Sequence, residues 1–254
     1  MKKIKRSYGW HKDHIDFRDF KFLPVHIPEN LPSMIDLANP IVPILNQGQL
    51  GSCTANAIAS CHYFEQIKQD AKEKFTPSRL FIYYNEREME GTVKQDSGAQ
   101  IRDGMKSVAT LGVCPETEWK YDVTKFTKKP LKSCYTHAAK HQVMLYASVI
   151  QSLDDMRSCL ASGFPFVFGF SVYDSFESDI VARTGIVPMP ARNESLLGGH
   201  AVLAVGYNDQ RKMFKVQNSW GSGWGDKGFF YLPYSFISNP SLASDMWKIT
   251  LIES

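Results

Sequence analysis

The sequence predicts an α+β protein with two lobes, because the spacing of its apolar residues changes along the chain. Before about residue 140, apolar residues recur at helical spacing. After it, short segments rich in β-branched and aromatic residues alternate with glycine or polar turns. A run of helices followed by a run of strands is typical of the α+β class. We therefore expect a mainly helical lobe over residues 31–145 and a β-rich lobe over residues 146–254, after an N-terminal arm over residues 1–30.

The helical half contains several segments with helical periodicity. The first begins at Ser52 or Cys53. Its apolar positions are Ala57, Ile58, Cys61, Phe64 and Ile67. Two further segments cover residues 77–90 and 99–112, and Gly112 is a typical residue for ending the second of them. Cys53 is therefore expected in the first turn of a helix.

The second half has the pattern of an antiparallel sheet. Turn residues separate its apolar segments at short intervals, as in strands that pair with their neighbours along the chain. The predicted strands are residues 165–173, 200–208, 212–220, 228–236 and 246–252. One helix is expected before them, at residues 152–163.

Charge and hydropathy argue against two classes of partner. The 29 basic and 26 acidic residues leave a formal net charge of +3, and the basic residues are scattered, so a nucleic-acid partner is not favoured. The basic start is followed by polar residues where a signal peptide would have an apolar stretch. Other apolar stretches are too short to span a bilayer. We expect no membrane partner, no signal peptide and no transmembrane segment.

The cysteines favour a reducing environment. There are five, which is an odd number, and they lack the spacing of a disulfide framework. Such usage is typical of a reducing compartment such as the cytoplasm. We expect free thiols in a monomeric protein.

The run NQGQLGSC, residues 46–53, places the Cys53 thiol where it can react. A thiol at a helix N-terminus meets unpaired N–H groups and the positive end of the helix dipole, and both favour the thiolate. If the thiolate attacks a carbonyl, the developing oxyanion needs hydrogen-bond donors, which the Gln47 amide and the Cys53 N–H are suited to supply. Cys53 is therefore a predicted nucleophile with a lowered pKa.

His200 is the candidate proton partner of this thiol. It enters an apolar strand directly after two glycines, which leave space beside its ring. Asn218, at the end of the next predicted strand, can accept a hydrogen bond from one ring nitrogen and so select the tautomer, while Trp220 can shield that bond from water. Together these residues predict a nucleophile, a base, an orienting group and an oxyanion donor.

These runs, with VQNSWGSGWG at residues 216–225, resemble the papain family of cysteine peptidases. The resemblance extends from LPSMIDL at residues 31–37, similar to a mature papain-like N-terminus, to DMWKI at residues 245–249. The matching positions are Gln47 for the oxyanion hole, Cys53 for the nucleophile, His200 for the acid/base, Asn218 for the orienting residue, and Trp220 and Trp224 for the two tryptophans.

The resemblance implies a papain-like two-lobed fold with a helical left lobe and an antiparallel β-barrel right lobe. The active site is then expected in the cleft between them. It also implies that Gly98, in the run DSGA, binds substrate backbone, and that Gly199 and Ser244 line the pocket for the second residue upstream of the cut. Trp220 and Trp224 complete the expected substrate site.

Three positions depart from the usual family pattern. Leu50 stands where relatives commonly have a disulfide cysteine, which agrees with a reducing environment. Thr54 replaces the usual tryptophan after the nucleophile and alters the packing below the cleft. Gly199 stands before the histidine where papain has an aspartate, so the pH dependence is expected to differ.

The N-terminal arm is a fourth departure. Typical relatives carry a long inhibitory propeptide, whereas only about 30 residues precede the papain-like start here. One hypothesis is that the arm lies over the cleft and limits access until it moves or is cut. The alternative is a surface arm that packs against the right lobe.

A zinc site was considered at Cys134, His137 and His141, which share one face of a helical segment, with Cys114 as a fourth ligand. Structural zinc sites usually contain cysteines two to four residues apart, and this sequence has none, so the pattern favours histidines on a solvated face. We expect no metal and no organic cofactor.

The sequence therefore predicts a cysteine-type endopeptidase that acts on peptide or protein substrates through an acyl-enzyme. Two alternatives keep the same scaffold. One is a catalytically dormant peptide-binding protein. The other is a transpeptidase or ligase, which delivers the acyl group to an amine.

Overall fold

The computed structural model describes residues 7–14, 16–23, 31–39 and 42–253. The helices are α1 (Cys53–Lys68), α2 (Arg79–Glu90), α3 (Ile101–Thr110), α4 (Lys132–Ala138), α5 (Leu153–Ala161), α6 (Asp179–Thr184) and α7 (Tyr234–Ile237). The strands are β1 (Trp10–His11), β2 (Met34–Asp36), β3 (Ala99–Gln100), β4 (Val143–Ser148), β5 (Phe166–Tyr173), β6 (Leu196–Asn208), β7 (Met213–Gln217), β8 (Phe229–Pro233) and β9 (Ala243–Ile252). Within the described ranges, no helix combines the length and apolar character needed to cross a membrane.

Helix α1 is buried along most of its length, which explains its run of small and apolar residues. The small side chains of Ala55, Ala57 and Ala59 let α1 pack closely against its neighbours. These neighbours are α2 and α3 on the helical side and strands β6 and β9 of the sheet. The predicted helix start at Cys53 is confirmed.

The antiparallel sheet brings the candidate base and its orienting residue together. Its strand order is β4-β9-β5-β6-β7-β8, and β2 pairs with β6 in addition. His200 lies near the start of β6, opposite Phe170 of β5. Leu203 of β6 pairs with Gln217, the last residue of β7, and Asn218 follows directly. The neighbouring strands β6 and β7 therefore bring His200 and Asn218 to the same end of the sheet.

The sheet is open, so the expected closed β-barrel needs correction. Within the described residues, the outer strands β4 and β8 do not pair with each other. Ser148 of β4 instead bridges to Lys21 of the arm, and Tyr231 of β8 bridges to Ile186. Other segments thus cover parts of both edge strands, and their backbone groups find partners without closure of a barrel.

The two faces of the sheet pack against different hydrophobic clusters. Phe168 and Val202 belong to a cluster of aromatic and aliphatic residues in the right lobe, whereas Val167 and Ala201 face the cluster around α1. This alternation follows from the two-residue period of a strand. The first turn of α1 therefore lies beside the strand that carries His200. The lobe boundary expected near residues 140–148 falls on β4 and stays a prediction.

Candidate active site

The loop before α1 is held to the body of the protein by hydrogen bonds. The N–H of Gly51 donates to Asp96 (N···Oδ1 2.9 Å). The hydroxyl of Ser52 lies 2.6 Å from that of Tyr121. These contacts position the fully buried Cys53 as the first residue of the helix.

The Cys53 sulfur lies between the sheet and the N-terminal arm. It accepts hydrogen bonds from the N–H of Ala201, the residue after His200, and from the N–H of Gly9 in the arm. Burial is the main reason why the pKa of Cys53 is raised to about 11, and the N–H donors offset only part of this effect. The prediction of a lowered pKa is wrong for this covered state, because a thiolate here would lose its hydration.

Asn218 orients His200. The ring Nε2 lies 2.8 Å from Asn218 Oδ1, and the N–H of Ser219 donates to the same Oδ1 (2.8 Å). Because that atom accepts from a backbone N–H, it is the amide oxygen, so Nε2 must carry the ring proton. Nδ1 then presents its lone pair. The N–H of the following residue, Ala201, reaches the Cys53 sulfur, so the thiol lies beside the strand that carries His200.

The two tryptophans lie behind the imidazole. Trp220 stacks on the His200 ring with centroids 5.0 Å apart and an interplanar angle of 27°. Trp224 packs edge-on against Trp220 (4.9 Å) and against Phe176 in the right-lobe core. Both were expected in the substrate site. The structure places Trp220 against the His200 ring and Trp224 one layer deeper, where it supports Trp220.

The Gln47 side chain is held at both ends of its amide group. Oε1 accepts from the hydroxyl of Ser219 (2.7 Å). Nε2 donates to the carbonyl of Leu50 (3.0 Å) and to that of Ser7 (3.4 Å). One amide hydrogen therefore holds the loop, and the other points at a carbonyl in the cleft. Sequence reasoning missed Ser219, whose signal is its place inside the NSW run.

Asp96 and Tyr83 connect the two loops on the helical side of the cleft, and sequence reasoning missed both. The Tyr83 hydroxyl donates to Asp96 Oδ1 (2.5 Å) and accepts from the N–H of Gly98 (3.1 Å). Asp96 also holds the N–H of Gly51. The buried Tyr83 and the exposed Asp96 thus tie the loop before Cys53 to the Gly98 loop. A tyrosine on the apolar face of a helix gives no sequence signal for this role, because its position predicts only an ordinary core residue.

The N-terminal arm runs through the cleft. Besides the Ser7 carbonyl on the Gln47 amide, the Gly9 carbonyl accepts from the N–H of Ala99 (2.7 Å). Strand β1 then pairs in parallel with β3, with Trp10 opposite Ala99. The arm thereby adds a short strand to the edge beside the nucleophile, as bound peptides do in many recognition sites.

Two glycines predicted to bind substrate contact this arm. A Cβ added to Gly98 would lie 2.0 Å from the Gly9 carbonyl oxygen, and one added to Gly199 would lie 2.5 Å from that of Trp10. No L side chain fits at these distances, so both positions let the backbone of another segment approach closely. The structure thus brings both candidates to the same cleft as Cys53.

The ring of Trp10 lies where the pocket for the second upstream residue was expected. A Cβ on Gly169 would come within 1.9 Å of this ring, and Ser244 is the residue paired with Gly169 across β5 and β9. The indole Nε1 donates to Asp245 Oδ2 (3.1 Å). The predicted pocket residues therefore lie beside an aromatic side chain of the arm.

Asp13 anchors the arm through a pair of carboxyl groups. Its N–H donates to Asp245 (2.8 Å), and its Oδ2 accepts from the indole of Trp247 (2.7 Å). The N–H of Arg102 donates to Oδ1 (3.1 Å). Burial, followed by the nearby Asp245 carboxyl, raises the pKa of Asp13 to about 7.

Further along, ionic and backbone contacts hold the arm. The Arg102 guanidinium hydrogen-bonds to Asp16 and Asp19. The N–H of Phe22 donates to the carbonyl of Ser148 on strand β4 (2.7 Å). The two arm positions weighed from the sequence therefore both occur, with the first described residues in the cleft and the later ones along the sheet edge.

Comparisons with known proteins agree with this geometry. A family profile described as "Papain family cysteine protease" matches residues 31–245. An uncharacterised peptidase C1-like protein of Acanthamoeba polyphaga mimivirus is 42% identical over 271 positions, covering 97% of this chain and 87% of that protein.

Solved structures give the same result. Xylellain, a cysteine protease from Xylella fastidiosa, is 44% identical and superposes with a TM-score of 0.91, covering 98% of this chain and 97% of that one. A procathepsin B from Trypanosoma congolense shares the fold with a TM-score of 0.79 at 19% identity, covering 99% of this chain and 88% of that one. The chain belongs to the papain family of cysteine proteases.

Proposed function

We propose that the protein is a cysteine-type endopeptidase that works through a thiolate–imidazolium pair and an acyl-enzyme, and that its arm-covered form is latent. One observation carries this proposal. Three consecutive residues of the arm contact the three groups: Ser7 the Gln47 amide, Tyr8 the ring of His200, which Asn218 holds, and Gly9 the Cys53 sulfur. All the groups needed for acyl transfer are then present on this chain.

The arm accounts for the latency. It buries the Cys53 sulfur, which raises the pKa of the thiol, and its Ser7 carbonyl occupies an amide hydrogen of Gln47. When the arm leaves, water returns to the sulfur and the main cause of the raised pKa is removed. The helix N-terminus and the N–H of Ala201 remain, and both favour the thiolate.

In the uncovered cleft, His200 Nδ1 takes the proton of the Cys53 thiol, and the sulfur attacks the carbonyl carbon of a peptide bond. The oxyanion accepts hydrogen bonds from Gln47 Nε2 and from the N–H of Cys53. The imidazolium then gives its Nδ1 proton to the leaving amine as the C–N bond breaks. The products are a free amine and a thioester on Cys53.

Water completes the reaction. His200 takes a proton from water as the oxygen attacks the thioester carbon. The C–S bond then breaks, the carboxylic acid product leaves, and the imidazolium returns the proton to the Cys53 sulfur. Throughout, Nε2–H stays bonded to Asn218 (2.8 Å), so the same nitrogen, Nδ1, performs both transfers. Trp220 keeps water from this bond by stacking on the ring.

The contacts of the arm indicate how a substrate binds. An extended peptide can use the N–H of Ala99 for its backbone and place a side chain over Gly169, where the indole of Trp10 now lies. The flat, glycine-lined position beside Ser244 favours a large apolar or aromatic side chain. We therefore propose peptide or protein substrates with such a residue near the cleaved bond.

The proposal is tested by turnover of a peptide library under reducing conditions, with products identified by mass spectrometry. A variant lacking residues 1–28 should cleave, the full chain should cleave more slowly, and Cys53→Ala should be inactive in both forms. Because the deletion removes contacts to β4, Gly9→Val in the full chain provides a second way to uncover the cleft. Failure of both uncovered forms to cleave would support the dormant binding protein.

Two further readouts separate the alternatives. A peptidyl epoxide should label Cys53 in the uncovered enzyme, and His200→Ala should lose this label because the thiolate is no longer formed. A transpeptidase or ligase would convert an added amine into a new peptide product. Hydrolysis products alone, at high amine concentration, would support the endopeptidase.

A further inference from the structure

A second cluster of reactive side chains lies beyond the C-terminal end of α1, away from the cleft. His137 is in the last turn of α4, His141 is in the turn before β4, and Glu73 follows α1 in the chain. Glu73 Oε2 lies 3.4 Å from His137 Nε2 and 3.6 Å from His141 Nε2. The three ligand atoms all lie within 4.8 Å of one another.

These separations match the edges of a metal coordination tetrahedron. Zinc binds imidazole nitrogen and carboxylate oxygen at roughly 2.0–2.2 Å, which puts neighbouring ligand atoms about 3.3–3.6 Å apart. Both contacts of Glu73 fall at this spacing. Three protein ligands also leave a fourth position for water, and the Glu73 side chain is 61% exposed, so solvent can reach the site.

The surrounding residues hold both rings in place. His137 Nδ1 donates to the carboxylate of Glu118 (2.6 Å), so Nε2 presents its lone pair toward Glu73. The Phe75 ring packs edge-on against His141, with centroids 4.9 Å apart. A carboxylate behind a ligating histidine is the usual support of such a ligand, because it selects the tautomer and raises ring basicity.

The site has space on both sides. A cavity of about 270 Å³ is lined by Glu73 and His141, and another of about 520 Å³ by His137 and Glu118, with Lys140 bordering both.

We propose that Glu73, His137 and His141 bind a zinc ion, with Glu118 as the positioning residue for His137. This differs from the expectation of solvated-face histidines, because Glu73 lies far upstream and spacing could not reveal it. The cysteines are not ligands of this ion. The buried Cys114 and Cys134 form another group with the exposed Glu118, whose Oε1 bonds to His137 instead.

The ion stabilises the helical lobe and does not take part in the chemistry. It joins the segment after α1, the last turn of α4 and the turn before β4. His62 and Gln66 of α1 line the same cavity as Glu73 and His141, and they lie roughly 14–20 Å from Cys53 along the helix axis. Its effect is therefore expected on thermal stability.

The test measures zinc by isothermal titration and cobalt by visible absorption, in a Cys53→Ala background so that the reactive thiol binds no metal. We expect one ion per chain, and at least tenfold weaker binding in His137→Ala and His141→Ala. Glu118→Gln should weaken binding by about tenfold or more, because His137 would lose the carboxylate that orients its ring. Lys140→Ala borders the same cavities without being a ligand and should bind normally.

Stability provides a readout that does not depend on activity. Zinc should raise the Tm of the Cys53→Ala protein, a chelator should reverse the shift, and Glu73→Gln should show a smaller shift while folding normally without metal. Equal binding by His137→Ala, His141→Ala and the parent would overturn the proposal. So would loss of binding in Cys134→Ser, since the ion would then belong to the cysteine group.

Discussion

The two ends of α1 carry reactive side chains in opposite surroundings. At the first end, Cys53 and His200 are fully buried and covered by the arm. Beyond the other end, the Glu73 side chain is 61% exposed and that of His137 is 27% exposed. Burial opposes ionisation of the thiol, whereas the partly exposed imidazoles remain in contact with solvent. Access to water thus separates the covered Cys53 site from the open histidine cluster.

The largest effect is expected at the buried end of α1, from the loss of His200. In the uncovered enzyme, His200→Ala should lower kcat/KM by about 10²- to 10⁴-fold, because the thiol loses its base and the leaving amine its proton donor. Steady-state peptide cleavage measures this loss. The exposed Thr136→Ala, near the other end of α1, should retain full turnover. A loss smaller than tenfold in His200→Ala would contradict the assigned role.

Gln47→Ala should have the next largest effect. Removing one oxyanion donor costs about 10²- to 10³-fold in kcat, with KM changed much less, since the donor acts mainly in the transition state. Single-turnover acylation of the uncovered enzyme is the measurement. Gln142→Ala, a glutamine at the opposite end of the helical lobe, is the matched control. Equal changes in kcat and KM from Gln47→Ala would point to substrate binding instead.

Gly9→Val in the full chain should make Cys53 accessible to substrate by displacing the arm. A Cβ at this position would lie 1.7 Å from the Gly51 carbonyl oxygen, so the arm cannot keep its path. Overpacking of this kind costs about 1–3 kcal/mol, which shifts the covered population by roughly 5- to 150-fold. Turnover should rise correspondingly.

Gly223→Val is the matched control for this substitution. A Cβ on Gly223 would meet nothing within 4 Å, so the same change in side-chain volume leaves the arm in place. Unchanged turnover in Gly9→Val, with peptidyl epoxide labelling of Cys53 still blocked, would show that the arm adapts to the larger residue.

The smallest predicted effect is a pH dependence of the docking of the arm over the cleft. Asp13 is faced by the carboxyls of Asp245 and Asp103, by Lys12 near that pair, and by the N–H of Arg102. Its pKa is raised to about 7 in the docked arm. Docking is therefore favoured most below the ordinary pKa of about 4, weakens by up to about tenfold per pH unit as pH rises from about 4 to about 7, and changes little above that.

The measurement is the ratio of turnover in the full chain to turnover in the variant lacking residues 1–28, taken at each pH from 5 to 8.5. The ratio removes the pH dependence of catalysis itself and should rise with pH. Asp13→Asn should flatten it, since the amide does not titrate. A ratio that falls with rising pH would show that other groups control the arm.

Local signals predicted the positions of the reacting groups. Helical spacing after Cys53 located the helix start, and glycines before an apolar strand located His200. Such signals are short-range, because turns, caps and strand entries depend on neighbouring residues. The open sheet edges could not be read this way, since Lys21 and Ile186 reach β4 and β8 only through the folded chain.

Sequence patterns likewise could not predict the contacts between distant segments. Asp96 bonds the loop at Gly51, and Ser219 bonds Gln47, across long stretches of chain. Asp96 carries no distinctive spacing, because a single polar residue in a loop has many roles, and the place of Ser219 in the NSW run does not reveal that its partner is Gln47. Pairwise contacts of this kind depend on how the elements pack.

By itself, the sequence determined the candidate reacting groups, because residue types at short-range motifs supply a thiol, an imidazole and two side-chain amides suited to acyl transfer. Only the tertiary structure decided their state. It brought the arm over Cys53 and raised the pKa of a thiol that the helix end alone would lower, because burial depends on every segment that excludes water from the sulfur. It also joined Glu73 to two histidines of another segment, since proximity of ligands is a property of the fold.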